Sequence, residues 1–296
     1  MKSSRRAVLA AMAGGVLAGC AGPQAGTSGT TTSAASPKAP QATATSIPAH
    51  PSSTAHRAVP AATRADIVAR YGHTVPHTWG FDAPGVVRAL PTAKEHQIAL
   101  TFDACGGPGG SGYDRALIDF LRRREVPATL FINSRWIGAN PAVFRRLAAE
   151  PLFEIANHGT RHRPLSVTGR SAYGIPGTRS AAEVYDEIVG NRAELTRLLG
   201  TPPRFFRSGT AYCDDVAARI VTDLGERFVS FSVNGDAGAT FTHEQVRTTV
   251  ASAPAGSIVI CHMNHPDGGT ARGIADAIPL LQATGHTFVR LSEALH

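Results

Sequence analysis

The run Ile98-Ala99-Leu100-Thr101-Phe102-Asp103 predicts a buried β-strand that ends on a carboxylate. Two later apolar runs have the same form: Leu152–Ile155 leads to His158, and Ile258-Val259-Ile260-Cys261 leads to His262. Active sites in α/β folds are assembled at the carboxyl ends of the strands. We therefore expect these three ionisable side chains to lie close together at one edge of a sheet.

Outward from this run, strand patterns alternate with helix patterns. Residues 113–124 carry apolar side chains at helical spacing, and Ala128–Ile132 is a second apolar strand. Asn140-Pro141 predicts a helix start, and a capping-box pattern at Ser180–Glu183 opens a long helix that Gly200 ends. Further strands are predicted at Arg204–Arg207, Phe228–Val233, Ser257–His262 and Thr287–Leu291. This repetition predicts an α/β fold with a parallel sheet, and periodicity leaves open whether the sheet closes into a barrel.

Between these strands, the run Asn157-His158-Gly159-Thr160-Arg161-His162-Arg163-Pro164 places two histidines four residues apart. Neutral imidazole is the commonest protein ligand of divalent metals, and this spacing allows both rings to lie on one face of a helical turn. Surface histidines also reach this spacing by chance. The position of the pair directly after a strand favours a metal site.

These motifs, in this order and spacing, resemble the polysaccharide deacetylases of carbohydrate esterase family 4, the NodB-homology domain, over residues 96–296. Thr101–Cys105 corresponds to the family's TFDDG motif, and His158–His162 to its paired-histidine motif. Arg207–Ala211 approximates the arginine motif, and Ile260–His262 matches the last strand-end histidine motif. The resemblance implies an α/β fold, an irregular (β/α) barrel with seven or eight parallel strands in a single catalytic domain.

The resemblance also implies a role for each motif in amide hydrolysis. His158 and His162 are the expected ligands of a divalent metal ion, with zinc as the first choice and cobalt or another transition metal as alternatives. Asp103 is the expected general base, and His262 the general acid that protonates the leaving amine. Taken singly, Asp103 is as readily a helix cap and His262 a packed histidine; their coincidence favours catalysis.

Arg207, Thr210 and Asp236 complete the implied site. Arg207 is expected to pair with Asp103 and to hold it ionised, with a purely structural ion pair as the alternative. The backbone N–H near Thr210 is expected to contribute to an oxyanion hole. The family's fourth motif is not clear in this chain, and Asp236, or else Asn234, is the candidate partner of Arg207.

Ala104 is the largest departure from the family pattern, because most members have a metal-binding aspartate at this position. The third ligand is then Asp103 itself, water or another side chain such as Cys105, or the ion is weakly held. The departure leaves two rival functions: a non-catalytic cell-wall-binding lipoprotein on the same fold, and a metal amidohydrolase of small amides. Retention of the other motif residues favours the enzyme.

The remaining cysteines and a third histidine are interpreted structurally. His265 could line the pocket or bind substrate, but its surroundings are more typical of a turn, and it is not assigned to the residues that carry the reaction. Cys213 and Cys261 are expected to be buried thiols, and Cys261 should point away from His262 because neighbouring strand residues face opposite sides. One disulfide among Cys105, Cys213 and Cys261 stays open as an alternative.

The first sixty residues are not globular in composition. Residues 1–20 resemble a signal peptide, with consecutive arginines at Arg5 and Arg6 typical of twin-arginine export and Leu17–Cys20 resembling a lipobox. Lipid attachment is expected at Cys20, and an ordinary cleaved signal is the alternative. Residues 21–60 predict a disordered tether, 61–95 a lead-in segment and 96–296 the deacetylase domain. We expect a membrane lipoprotein facing the cell wall, or a secreted protein.

The net charge of +7 comes from 29 basic and 22 acidic residues without a long basic run, and aromatic residues make up 6% of the chain. This composition disfavours nucleic-acid binding. The expected partners are a polysaccharide substrate and, through the lipid anchor alone, a membrane; the protein is expected to be a monomer. The predicted reaction is removal of N-acetyl groups from an amino-sugar polymer, peptidoglycan or chitin-like, with polysaccharide O-acetyl hydrolysis as the alternative.

Overall fold

The computed structural model describes residues 62–91 and 96–295. The predicted signal sequence, the tether and Cys20 lie outside these ranges. The helices are α1 (Arg64–Tyr71), α2 (Arg115–Arg123), α3 (Ser134–Ala139), α4 (Pro141–Ala148), α5 (Ala181–Leu199), α6 (Asp215–Asp223), α7 (His243–Ala251), α8 (Thr270–Ala283) and α9 (Leu291–Ala294). The strands are β1 (Trp79–Gly80), β2 (Gln97–Ala104), β3 (Ala128–Ile132), β4 (Phe153–Asn157), β5 (Phe205–Phe206), β6 (Cys213–Asp214), β7 (Arg227–Phe228), β8 (Val233–Asn234), β9 (Ile258–His262) and β10 (Thr287–Phe288).

A curled sheet of seven parallel strands forms a half-barrel, in the order β7-β5-β4-β3-β2-β9-β8. The short strand β10 joins the start of β2, also in parallel. The central strands have five to eight residues and the outer ones only two. The α/β class, the parallel sheet and the incomplete barrel that the resemblance implied are confirmed.

The side chains of β2 alternate between two environments. On β2, Ile98, Leu100, Phe102 and Ala104 pack among the helices in the outer hydrophobic core. The intervening side chains, including that of Asp103, face the inside of the half-barrel because strand side chains alternate. Ala104 is therefore fully buried in the outer core and does not face the site.

The segment predicted as one strand, Phe228–Val233, is instead two strands separated by Val229–Ser232. Val229 forms an isolated parallel bridge with Val87, and the Ser230 N–H donates to the Val87 carbonyl at 2.8 Å. The prediction was wrong because the lead-in segment, far away in sequence, supplies the hydrogen-bond partners that a continued strand needs.

The helix start signals act as local capping predicts. Pro141 occupies the first turn of α4, and the Ser180 hydroxyl accepts from the Glu183 N–H at 3.2 Å. The reciprocal half of that predicted capping box is absent between these two described residues, because the Glu183 carboxylate binds Arg163 at 2.8 Å. Gly200 ends α5 with a φ of 78°, a conformation that favours glycine.

The lead-in segment is hydrogen-bonded to the rest of the described chain. Helix α1 packs on α5 and α6, and β1 pairs antiparallel with β6. Further along, the Leu90 N–H donates to the Gly256 carbonyl at 2.8 Å, just before β9. Among the described residues, no helix has the length and apolar character needed to cross a bilayer.

Candidate active site

The parallel register brings the strand ends together. Asp103 at the end of β2 lies opposite His262 at the end of β9. His158 follows the last residue of β4 directly, and Arg207 follows the last residue of β5. Asp103 and His262 line one cavity, and the buried His158 and Arg207 both contact Asp103, so the strand ends meet as the parallel topology predicts.

Asp103 and Arg207 form a buried ion pair inside the half-barrel. An Arg207 Nη donates to Asp103 Oδ1 at 2.7 Å, which is the pairing that the resemblance implied. The guanidinium also donates to the Val229 and Ser230 carbonyls and lies 4.0 Å from the Phe131 ring centroid. Burial by itself raises the pKa of Asp103, but Arg207, His158 and His262 together outweigh burial and hold that pKa below its usual value.

Asp236 is bonded to His262, not to Arg207. Asp236 Oδ1 lies 2.9 Å from His262 Nδ1, and its Oδ2 accepts from the His262 N–H at 2.7 Å and from the Thr270 hydroxyl at 2.9 Å. The expected partnership with Arg207 was wrong, because the guanidinium binds Asp103 and two backbone carbonyls instead. Burial opposes a charge on His262, but the Asp236 carboxylate raises the pKa of the imidazole well above its usual value.

The two histidines of the paired motif converge through a bent loop. Residues 158–163 contain no helical turn, so the expected helical presentation was wrong. Gly159 has a φ of 76°, and a Cβ there would lie 2.5 Å from Glu187 Oε1. Glu187 is buried and accepts hydrogen bonds from the Arg161 and Arg163 N–H groups. This anchoring brings the His158 and His162 ring centroids to 4.9 Å.

Cys105 completes a cluster with these histidines. One ligand atom from each of Cys105, His158 and His162 lies within 4.8 Å of the others. The Cys105 Sγ is 3.8 Å from His158 Nε2. The other ring nitrogen of His158, Nδ1, lies 3.0 Å from the Arg207 carbonyl oxygen. Burial by itself raises the pKa of the Cys105 thiol, but the neighbouring imidazoles hold that pKa well below its usual range.

The donor set of this cluster fits a divalent transition metal. Two imidazoles and one thiolate are ligands typical of zinc and related ions. His162 Nε2 is buried without a hydrogen-bond partner, although a buried imidazole nitrogen normally has one. An ion held by the cluster would supply that missing partner. Asp103 Oδ2 lies 3.5 Å from His158 Nε2, at the margin of the cluster.

A cavity of about 590 Å³ opens over these groups. Asp103, Cys105, His162, Thr210 and His262 line it. Sequence reasoning missed several further lining residues, namely Arg135, Tyr173, Phe231 and Asn264. His265 also lines the cavity, as one of its two interpretations allowed. Apart from the closeness of His265 to His262, the sequence carries no signal for this set, because the residues come from loops that converge only in the fold.

The other two described cysteines lie away from the cavity. Cys213 and Cys261 are buried, and Cys261 packs in the outer core, on the side of β9 that faces away from His262. Its predicted orientation is confirmed. Among the described cysteines, all three are free thiols, so the disulfide alternative is not realised.

Proteins named as deacetylases are similar in sequence to most of the described residues. The family model for polysaccharide deacetylase matches residues 91–229. The peptidoglycan-N-acetylmuramic acid deacetylase PdaA of Bacillus subtilis is 23% identical over 214 residues, covering 70% of this chain and 74% of that protein. A chitooligosaccharide deacetylase of Bradyrhizobium is 27% identical, over 64% of this chain and 85% of its own length.

Solved structures share the fold at low identity. A pseudoenzyme of carbohydrate esterase family 4 from Bacillus anthracis superposes with a TM-score of 0.60 at 19% identity, covering 72% of this chain and 70% of its own. A family 4 acetyl xylan esterase from Clostridium thermocellum, solved with cobalt, gives a TM-score of 0.55 at 23% identity, covering 67% of this chain and 89% of its own. The matched residues, the half-barrel and the strand-end motifs agree, and residues 91–229 match the polysaccharide deacetylase family within this fold.

Proposed function

We propose that this protein is a metal-dependent hydrolase that removes N-acetyl groups from an extracellular amino-sugar polysaccharide, peptidoglycan or chitin-like. One observation carries the proposal: a Cys-His-His cluster, a carboxylate held by arginine and a histidine held by aspartate surround a single cavity. Amide hydrolysis needs an electrophile, a base and an acid, and each of these three units suits one of those tasks.

Cys105, His158 and His162 would hold the metal ion. A divalent ion supplies Lewis acidity that activates water and polarises an acetyl carbonyl. The His158 Nδ1–H bond to the Arg207 carbonyl orients that imidazole so that its Nε2 faces Cys105. Glu187 orients the loop that carries His162. The chain thus presets the two imidazoles before any ion arrives.

Asp103 is assigned as the general base. Its buried carboxylate is kept ionised by Arg207, and its second oxygen remains on the cavity side, near His158. A base in this state accepts a proton from the attacking water. Thr210 lines the same cavity, and its backbone N–H is assigned to stabilising the negative charge that develops on the acetyl oxygen.

His262 is assigned as the general acid. The Asp236 carboxylate keeps its imidazole protonated, and Asp236 is itself fixed by the Thr270 hydroxyl. A protonated imidazole at the cavity wall delivers its proton to the departing sugar nitrogen, which is a poor leaving group until it is protonated. Asp236 therefore acts through His262, as a positioning residue.

A non-catalytic carbohydrate-binding protein is the rival function. Two observations favour it: this chain has alanine at position 104, and a structural neighbour is a pseudoenzyme. Against it stand the intact acid–base pairs and a thiol that lies where a third ligand is needed. A protein that only binds glycans has no need for a buried arginine–aspartate pair facing the cavity, which is costly to desolvate.

The test is acetate release by the purified protein from matched N-acetylated and O-acetylated glycans, with zinc or cobalt supplied. We expect release from amino-sugar polymers, and no release by the Asp103→Asn variant. Release from O-acetylated xylan alone would replace the proposed reaction by ester hydrolysis. No release from any member of the panel would favour the binding protein.

We further propose that the protein is exported and lipid-anchored through Cys20, so that the domain reaches the cell wall. The peptidoglycan and chitooligosaccharide relatives and the Leu17–Cys20 sequence support this location. The Cys20→Ala variant is expected to be exported but to leave the detergent phase when cells are fractionated. Equal partition of both proteins into the detergent phase would mean that another feature anchors the chain.

A further inference from the structure

Five aromatic side chains form a connected surface beside the cavity. Trp79, Phe81, Tyr173, Tyr212 and Phe231, which we call the aromatic wall, are linked by ring-centroid distances between 5.2 and 5.8 Å. All five are partly or fully exposed, and Tyr173 is 74% exposed. The chain has 19 aromatic residues among 296, so a cluster of five at one exposed place is not a consequence of composition.

The fold holds this wall in place through the lead-in segment. Strand β1 pairs Trp79 with Asp214 and Gly80 with Cys213. Immediately before β1, the His77 and Thr78 N–H groups donate to the Asp215 carboxylate at 2.8 and 3.0 Å. The segment that carries Trp79 and Phe81 is therefore fixed, which lowers the entropic cost of binding to its side chains.

Two arginines lie over the rings of the wall. The Arg170 guanidinium is 5.2 Å from the Trp79 ring, and that of Arg88 is 5.2 Å from the Phe81 ring. Arg88 also donates to the Phe231 carbonyl at 3.4 Å. Guanidinium groups stacked on aromatic rings keep free N–H donors at the ring edges. The wall thus combines apolar ring surface with hydrogen-bond donors.

The aromatic wall is continuous with the cavity. Tyr173 and Phe231 belong to the wall and also line the cavity that contains Asp103 and His262. Trp79 and Phe81 extend the wall outward, and both lie before the residues that the family model matches. A ligand that fills the cavity and continues outward along this side must therefore contact the wall.

We propose that the aromatic wall binds the sugar rings that neighbour the reacting residue, so that the enzyme prefers a glycan chain to a single amino sugar. The inference rests on the proposed function. A pyranose presents an apolar C–H face and a hydroxylated edge, which match aromatic rings flanked by guanidinium donors.

The kinetic test compares N-acetylglucosamine oligomers from the dimer to the hexamer. In the unmodified protein, kcat/KM is expected to rise with length through a falling KM. In Trp79→Ala and Phe81→Ala, the gain on the hexamer is expected to fall about tenfold, with the dimer hydrolysed as before. Trp79→Phe should keep most of the gain, because the ring is retained. Val75→Ala, at a residue 69% exposed in the same segment, is the control and should change nothing.

A binding measurement separates the wall from the reaction. The chain has two tryptophans, and Trp136 is fully buried, so ligand-induced fluorescence changes report on Trp79. In the Asp103→Asn variant, hexamer is expected to shift this fluorescence in a saturable way, and Trp79→Phe should abolish the signal. Saturable binding without acetate release from any substrate by the unmodified protein would overturn the proposed function but support sugar binding by the aromatic wall. Acetate release that does not depend on oligomer length, with no fluorescence change on binding, would overturn sugar binding by the aromatic wall but support the proposed function.

Discussion

The two sides of the cavity differ in how their polar groups are satisfied. On the acid–base side, Asp103 is paired with Arg207 and His262 with Asp236, each through bonds of 2.7–2.9 Å. On the metal side, the Cys105 Sγ lies 3.8 Å from His158 Nε2, and the buried Nε2 of His162 has no hydrogen-bond partner. The first side is complete within the chain, whereas under the proposed function an ion would complete the second.

This difference separates stability from function. A buried ion pair is costly to desolvate, but removing one partner costs several kcal/mol because a charge is left alone. A cluster of unpartnered donors costs free energy until a ligand satisfies them. Substitutions on the acid–base side should therefore impair turnover with metal bound, whereas substitutions on the metal side should impair metal binding first.

Asp103→Asn is expected to give the largest effect on turnover. The amide is nearly isosteric and still accepts from Arg207, but it takes no proton, so acetate release should fall by about 10³-fold or more. Metal content, measured by elemental analysis, should be unchanged. The melting temperature should fall because Arg207 loses its counter-ion, so a cooperative transition above the assay temperature is the control for folding. Loss of the ion together with turnover would mean that Asp103 is a metal ligand, and the two sides would not be separate.

Asp236→Asn is expected to lower kcat/KM by about 10²-fold through His262. The Asp236 carboxylate raises the pKa of His262, so the acid form of His262 is lost only as pH rises through that elevated value. Removing the negative charge lowers the pKa, and the alkaline limb of the pH–rate profile should move to lower pH. Thr270→Val removes one hydrogen bond to Asp236 but keeps its negative charge, so it is the matched control and should not move the limb to lower pH. An unmoved limb in Asp236→Asn would remove His262 as the acid.

Glu187→Gln is expected to give the smallest effect, confined to the metal side. Glu187 accepts hydrogen bonds from the N–H groups of Arg161 and Arg163, which lie on either side of His162. A glutamine side chain keeps one acceptor oxygen and replaces the other with an NH2 group, which cannot accept these bonds. The affinity for zinc, measured by competition with a chelator, should fall about tenfold, and saturating metal should restore turnover. Glu194→Gln, on the same helix and without a hydrogen bond to this loop, is the matched control. Unchanged affinity in the Glu187 variant would show that the loop needs no such anchor.

The fold and the strand ends follow from local patterns. Alternation on β2 and the apolar run of β9 were sufficient to predict where Asp103 and His262 lie, because parallel strands end at one edge. The same alternation explains why the site contains Cys105 and not residue 104, since Ala104 faces the outer core.

The contacts between residues far apart in the chain could not be predicted from the sequence. The Asp236–His262 pair depends on a loop after β8 that folds over β9, and nothing near Asp236 in the sequence selects His262 over Arg207. The bent path between His158 and His162 depends on Glu187, which lies on a helix 25 residues after His162. The aromatic wall joins residues from four separate segments. Such contacts form only after the sheet has curled.

The central claim is that Cys105 replaces the missing aspartate as the third metal ligand. The direct measurement is the absorption spectrum of the cobalt(II)-loaded protein. We expect a sulfur-to-cobalt charge-transfer band in the near ultraviolet, lost together with high affinity in Cys105→Ser and retained in Cys261→Ala, whose thiol lies in the outer core. A fully loaded protein without the band, or a Cys105→Ser spectrum identical to that of the unmodified protein, would contradict the account.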